Sequence, residues 1–235
     1  GIGKAVTAAY LSRPSHVVIG SVRDAKGPQA EDVKKLPAAH GSRLLLVSIE
    51  NASHEDPKKA VAEIEAAGID HIDIVVSNSG ISPENAPLDA ADPEIILDAF
   101  NVNALSSIVL FQAVNPLLLK SSAPKWISVS SRAGSIDTAE GWYYWIGAYG
   151  VSKAAQNWFT KTLHVGNPNL TAVAIHPGFV YTDMGVTAAK AAGIDLPATS
   201  AEESASKILE TIDSAKRETV SGKLIDVITG DEIPW

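Results

Sequence analysis

Short apolar runs alternate with amphipathic segments along the whole chain. Residues 16–22 (HVVIGSV), 43–49 (RLLLVSI), 72–78 (IDIVVSN), 125–131 (KWISVSS), 170–177 (LTAVAIHP) and 222–228 (GKLIDVI) carry apolar side chains on consecutive positions. That pattern marks strands buried on both faces. The segments between them have helical spacing. Pro57 suits a first helical turn, with Val61, Ile64 and several alanines on one side. In SAEESASKILETI, Ser200 and Glu203 have capping-box spacing, and Ile208, Leu209 and Ile212 follow on one face. Alternation over the full length predicts an α/β fold in three layers, with a doubly wound parallel sheet between helices and residues 1–235 as a single domain.

Composition narrows the function classes. With 235 residues, 46% of them hydrophobic, the chain can bury one substantial core. The net charge is −8, and the 19 basic residues form no run, which argues against nucleic-acid and membrane-surface binding. No cysteine is present, so disulfides, cysteine-ligated metals and a thiol nucleophile are excluded. This fits a reducing compartment, and a cytoplasmic location is expected. Apolar stretches such as IDIVV and LLLVSI are too short to cross a bilayer.

Parallel sheets of this kind bind ligands beyond the carboxyl ends of their strands. The most informative stretch there is YGVSK, which places Tyr149 and Lys153 four apart, on one face of a helix. A phenol titrates near ~10. A nearby ammonium favours its phenolate, so the pair can give a proton to a carbonyl oxygen or take one from an alcohol. The plain alternative is a core tyrosine beside a surface lysine. SVSSRAGS supplies hydroxyls that can bond a carbonyl or simply cap a turn. In FNVNALSS, an asparagine sits where helix propensity disfavours it.

Six ordered motifs over essentially the whole length resemble the short-chain dehydrogenase/reductase family. GIG at Gly1, Ile2 and Gly3 resembles the end of its glycine-rich cofactor turn, and SNSG (with Asn78, Ser79 and Gly80) its NNAG element. NVN places Asn103 at the family's active-site asparagine, SVSS places Ser131 at its serine, and YGVSK supplies Tyr149 and Lys153. HPGFVYTDM resembles the PG motif, with Pro177, Gly178, Val180 and Thr182 as cofactor contacts. The resemblance implies a Rossmann-type NAD(P)-binding fold and a reductase of C=O groups. In it, Tyr149 donates the proton, Lys153 bonds the nicotinamide ribose, Ser131 polarises the carbonyl and Asn103 holds a water. His176 is not expected to act in catalysis. The wording SSRAGSI, HPGFVYTDM and ITGDEIPW is similar to the branch with fungal norsolorinic acid ketoreductase and C-factor-like carbonyl reductases. That implies a small-molecule ketone substrate, on an aromatic polyketide or similar compound.

Some features depart from the pattern. The stretch between Ser131 and Tyr149 is several residues longer than in the family, which keeps Ser130 and Ser135 open as the catalytic serine. It brings WYYW (142–145) near the site, either as a loop packed on protein or as an apolar wall for substrate. Residues 185–199 fall at the family's variable substrate lid. The strand ending in GSVRD offers Arg23 for the 2′-phosphate of NADP(H), or Asp24 for the ribose of NAD(H). Arg23 is taken as the discriminator and NADP(H) is favoured, with Glu50 and Asn51 near the adenine. An NAD-dependent alcohol dehydrogenase and a non-catalytic nucleotide-binding regulator remain alternatives. A homodimer or homotetramer is expected by resemblance, with a monomer open. Finally, GIGKAVTAAYL has no strand before it. The strands at Val17 and Ile74 would flank a gap, so the natural protein is expected to carry roughly ten further N-terminal residues.

Overall fold

The computed structural model describes residues 1–140 and 145–235. Of the aromatic stretch 142–145, Trp142, Tyr143 and Tyr144 lie outside the described residues, and Trp145 is exposed.

Helix α1 (Ile2–Leu11) is followed by β1 (Val17–Val22), α2 (Pro28–Lys34), β2 (Arg43–Ser48), α3 (Asp56–Ala66) and β3 (Ile74–Ser77). Next come α4 (Pro93–Phe100), a π-helical segment (Asn101–Leu105), α5 (Ser106–Leu118), β4 (Lys125–Val129) and a 3₁₀ turn (Arg132–Gly134). The long α6 (Gly147–Gly166), β5 (Thr171–His176), α7 (Asp183–Ala192), α8 (Ala201–Ser214), α9 (Arg217–Val220), β6 (Leu224–Asp226) and β7 (Glu232–Ile233) complete the chain. All six expected strands form, and the Ser200 hydroxyl accepts from the Glu203 N–H at 3.0 Å to cap α8.

The fold is α/β, with strands flanked by helices on both faces. Strand alternation sends β4 side chains to opposite layers. Ile127 and Val129 join Val173, Ile175 and Ile225 under α1 and α8, where Val6, Ile208 and Ile212 complete the cluster. Trp126 faces the other way, into Val114, Leu118, Phe159 and Leu163 of α5 and α6. It stacks edge-on with Phe111 and Phe159, with ring centroids 5.3 and 5.9 Å away.

The structure refines several expectations. The strands form two sheets, β1-β2 and β3-β4-β5-β6-β7, and among the described residues β1 and β3 each pair with a single neighbour, with the expected gap between them. Strand β1 is not buried on both faces as its apolar run suggested: Val17 is 48% exposed, whereas Val173 and Ile175 in β5 are fully buried. The short β7 pairs antiparallel to β6, so the larger sheet is not wholly parallel. The expected lid begins within α7, and its end is tied back by a bridge between Val180 and Thr199. Apolar length was also underestimated. α4, the π segment and α5 join into one 26-residue helix, Pro93–Leu118, long enough to cross a bilayer. Its buried Asn103 and Ser107 bond into α6, which makes this face part of the domain. Helix α6 in turn shows solvent a stripe of Val151, Trp158 and Val165, each 42–74% exposed and spaced by sevens.

Candidate active site

The carboxyl end of β4 builds the centre of the site. Even-numbered side chains of β4 point toward α6, and the alternation continues past its end. Ser128 accepts from Thr160 Oγ1 at 2.7 Å and from Trp126 Nε1 at 2.9 Å. Ser130 donates to Asn157 Oδ1 at 2.5 Å and is 2% exposed. Both hydroxyls are therefore spent on α6. Ser135 is spent too, donating to the Pro234 carbonyl at 2.6 Å. Ser131 differs. It leaves the strand to cap the 3₁₀ turn, where its Oγ accepts from the Ala133 N–H at 3.1 Å. That leaves its proton free, and its hydroxyl is placed near enough to the Tyr149 phenol to act on that group's pKa. Of the three candidate serines, Ser131 is the one that meets Tyr149.

The turn carrying Ser131 is held from four sides. The Arg132 N–H donates to His176 Nδ1 at 3.3 Å, and the Arg132 guanidinium pairs with Asp226 at 3.2 Å. Ser135 fastens it to the C-terminal segment. On the fourth side Gly134 lies against α6, where a Cβ would come within 2.6 Å of the Lys153 backbone. His176 is thus a support for the turn, and burial lowers its proton affinity first of all.

Tyr149 and Lys153 project from the first turns of α6 toward this turn. Lys153 Nζ lies 5.7 Å from the centroid of the Tyr149 ring. It donates to the Val129 carbonyl and to Gln156 Oε1, both at 2.9 Å, and the residue is 3% exposed. Burial pushes its pKa down to about 7. The expected lowering of the Tyr149 pKa by this ammonium does not dominate. Burial raises Tyr149 to about 12, with the Ser131 hydroxyl acting the other way. Tyr149 is accordingly a protonated phenol at neutral pH, suited to donate.

Asn103 sits in the π-helical segment, a distortion frequent at functional sites. Its Oδ1 accepts from the Ile81 N–H at 2.7 Å, and its Nδ2 donates to the Ile81 carbonyl and to Ser152 Oγ, both at 2.9 Å. The Asn103 side chain thereby fastens the loop after β3 to α6. A Cβ on Gly80 would lie 3.0 Å from Asn103 Oδ1 and 3.5 Å from Lys153 Nζ, so glycine keeps that approach to the lysine open.

A second group of expected residues meets at the amino end of α1. A Cβ on Gly3 would fall 2.6 Å from Asn78 Nδ2, and one on Gly1 would touch Thr182 at 3.5 Å. The segments around Ile2, Asn78, Ser79 and Thr182 are thereby brought to one helix N-terminus, a place that favours anions. Gly178 has φ +85°, and a side chain there would strike Ile228 at 2.7 Å. The Pro177 carbonyl accepts from Ser204 Oγ, Val180 is buried, and Thr182 caps α7 through the Gly185 N–H. Arg23 and Asp24 follow β1, while Glu50 and Asn51 follow β2, on the smaller sheet. The Asp24 carboxylate accepts from the Lys26 N–H at 2.8 Å, and Arg23 is exposed.

The sequence reading missed Gln156, Ser107, Ser152 and Ser77. The signal was available: on α6, Ser152, Lys153, Gln156, Asn157 and Thr160 recur at helical spacing, and all are buried. A polar inner face is what a buried network requires.

Comparison with known proteins follows this geometry. The family model described as short chain dehydrogenase matches residues 1–193. The short-chain dehydrogenase srdF of Neurospora crassa is 42% identical over 100% of this chain and 94% of its own length. The norsolorinic acid ketoreductase nor1 of Dothistroma septosporum is 34% identical over 100% of this chain and 89% of its own. Among solved structures, the NADPH-bound carbonyl reductase from chicken fatty liver superposes with a TM-score of 0.86 at 27% identity. That superposition covers 100% of this chain and 95% of the other.

The buried lysine makes a stability prediction. Unfolded, Lys153 holds its proton up to about 10.5, whereas folded it releases it near 7. Between these values the unfolded state binds more protons, so stability rises with pH there, and below about 7 the full penalty is present. A shift of this size is worth roughly 4–5 kcal/mol. Lys153→Met removes the titrating group. Urea unfolding from pH 6 to 10 is expected to show wild type gaining on the variant as pH rises, and parallel curves would refute this.

Proposed function

The chain belongs to the short-chain dehydrogenase family of NAD(P)-dependent oxidoreductases, and on that footing we propose that it is an NADPH-dependent carbonyl reductase with Tyr149 as proton donor. The observation that carries this reading is the triad of Ser131, Tyr149 and Lys153, held together by the 3₁₀ turn on α6. A nicotinamide dinucleotide suits the glycine-lined cradle. Gly1 and Gly3 leave backbone room at the α1 N-terminus for a pyrophosphate, and Gly80 leaves room over Lys153 for a ribose. When bound, the nicotinamide supplies the hydride.

The protein's own residues do the rest. Tyr149 keeps its proton at neutral pH because burial disfavours the phenolate. The Ser131 hydroxyl, with its oxygen already accepting from Ala133, has a proton to offer a carbonyl oxygen or a developing phenolate. As the carbonyl oxygen gains charge, Tyr149 releases its proton to it. The ammonium of Lys153, poised near its titration point, steadies the phenolate left behind. Replacing Tyr149 with Phe is expected to cut ketone reduction at least ~100-fold while NADPH binding persists. Intact reduction by that variant would end the proposal.

Arg23 supports NADPH over NADH. It is exposed just beyond β1, while Asp24, the rival ribose ligand, has its carboxylate engaged by the turn at Lys26. Arg23→Ala is expected to raise the KM for NADPH by ~10-fold or more and leave NADH little changed. Equal effects on both would point away from a 2′-phosphate contact.

An aromatic polyketide or comparable apolar ketone is the substrate class we favour. Ile136, Trp145, Phe179, Tyr181, Met184, Ile194 and Leu196, all 40–79% exposed, follow the carboxyl ends of β4 and β5. We also infer that α6 pairs with a second copy of the chain through Val151, Trp158 and Val165. Trp158→Glu should then turn a dimer or tetramer into smaller species in sedimentation velocity, and a monomeric wild type would exclude the pairing.

A further inference from the structure

We propose that Gln156 is a positioning residue for Lys153, holding the lysine head group in place through a hydrogen-bond chain that runs from α6 through α5 to β3. This rests on the reading of Tyr149 and Lys153 as the working pair.

The chain is read from donor and acceptor chemistry. A lysine head group only donates. Gln156 must therefore turn its Oε1 toward Lys153 Nζ, and the two atoms lie 2.9 Å apart. That choice leaves the Gln156 Nε2 in need of an acceptor away from bulk solvent, since Gln156 is completely buried. Ser107 Oγ on α5 supplies it at 3.1 Å. Ser107, having accepted, has one proton of its own. Ser77 Oγ at the end of β3 lies 2.8 Å away, and the Asn103 carbonyl 3.5 Å away, to receive it. Ser77 and Ser107 are 5% and 1% exposed. The lysine thus gives one direction to the links through Gln156 as far as Ser107, and between Ser107 and Ser77 either hydroxyl can donate.

Position dictates the consequence. Besides Gln156, Lys153 Nζ bonds only the Val129 carbonyl in the described geometry, and both partners are neutral. Of the titratable groups on the packed elements, Tyr149 faces it, with Nζ over the tyrosine ring, and no carboxylate contributes to its shift. In such surroundings a neutral acceptor oriented at the ammonium is a main support of the charged form. The amide also limits where Nζ can swing. It thereby keeps the third N–H available on the side that Gly80 leaves open.

The test titrates Lys153 directly in the full-length chain. Protein carrying ¹³Cε-labelled lysine is followed by NMR across pH, with the Lys153 signal assigned as the one missing from Lys153→Met. Gln156→Leu removes acceptor and donor, and its midpoint is expected to fall by about one pH unit or more relative to wild type. Gln156→Glu keeps the acceptor and adds charge, so its midpoint is expected to rise by at least as much. Ser107→Ala releases only the far end of the amide, and should shift the midpoint in the same direction as Gln156→Leu by a smaller amount. It carries the test if Gln156→Leu fails to fold. With the ketone that wild type reduces best, the pH profile of kcat should move with the NMR midpoint and KM should change little. A merely structural role would lower urea stability without moving either. Midpoints of Gln156→Leu and Ser107→Ala matching wild type would overturn the proposal. The catalytic reading fails separately: intact reduction by Tyr149→Phe would refute it while leaving the titration result standing.

Discussion

Burial of one lysine head group is the constraint around which the site is organised. Lys153 is 3% exposed, and a cation withdrawn from water has to find fixed partners or lose its proton. Here it does some of each. It bonds Val129 at the end of β4 and Gln156 one turn further along α6, and its pKa still falls to about 7. A group that titrates near neutrality beside a phenol that does not is a useful asymmetry. One member holds a proton firmly and the other adjusts its charge.

The surroundings follow from that burial. Gln156 needs Ser107, and Ser107 bonds Ser77, so α5 and β3 are tied to α6. Asn103 lies four residues before Ser107, within the π-helical segment, and staples the Ile81 backbone to Ser152 of α6. On the opposite side the Ser131 turn presses against α6 so closely that Gly134 admits no side chain. His176 and Asp226 hold that turn from β5 and β6. Partly satisfied polar networks are costly in a core, and fully connected ones specify a single arrangement. The site belongs to the second kind along the Lys153 branch. Asn157 Nδ2, beside Ser130, is a buried donor without a partner there.

Much of this was legible in the residue pattern. The six apolar runs became strands, the Ser200 cap formed, and YGVSK did place a tyrosine and a lysine on one helix face. Three kinds of fact were not legible. Which serine faces Tyr149 depends on where β4 stops, because alternation turns Ser128 and Ser130 inward and the turn frees Ser131. The desolvation of the half-buried Tyr149 is a property of tertiary packing, and it reverses the shift that a neighbouring ammonium alone would produce. The partial exposure of β1 is the third, since an apolar run alone cannot say what will cover the faces of its strand.

The sequence by itself determined the layer architecture, the family and the set of reactive groups, because these rest on periodicity and on local spacing within single elements. The tertiary structure decided which hydroxyl is free, which protons are held, and that Gln156 answers to Lys153. Those outcomes depend on distances between residues dozens of positions apart and on the removal of water around them. Spacing along the chain encodes neither until the helices have closed over the sheet.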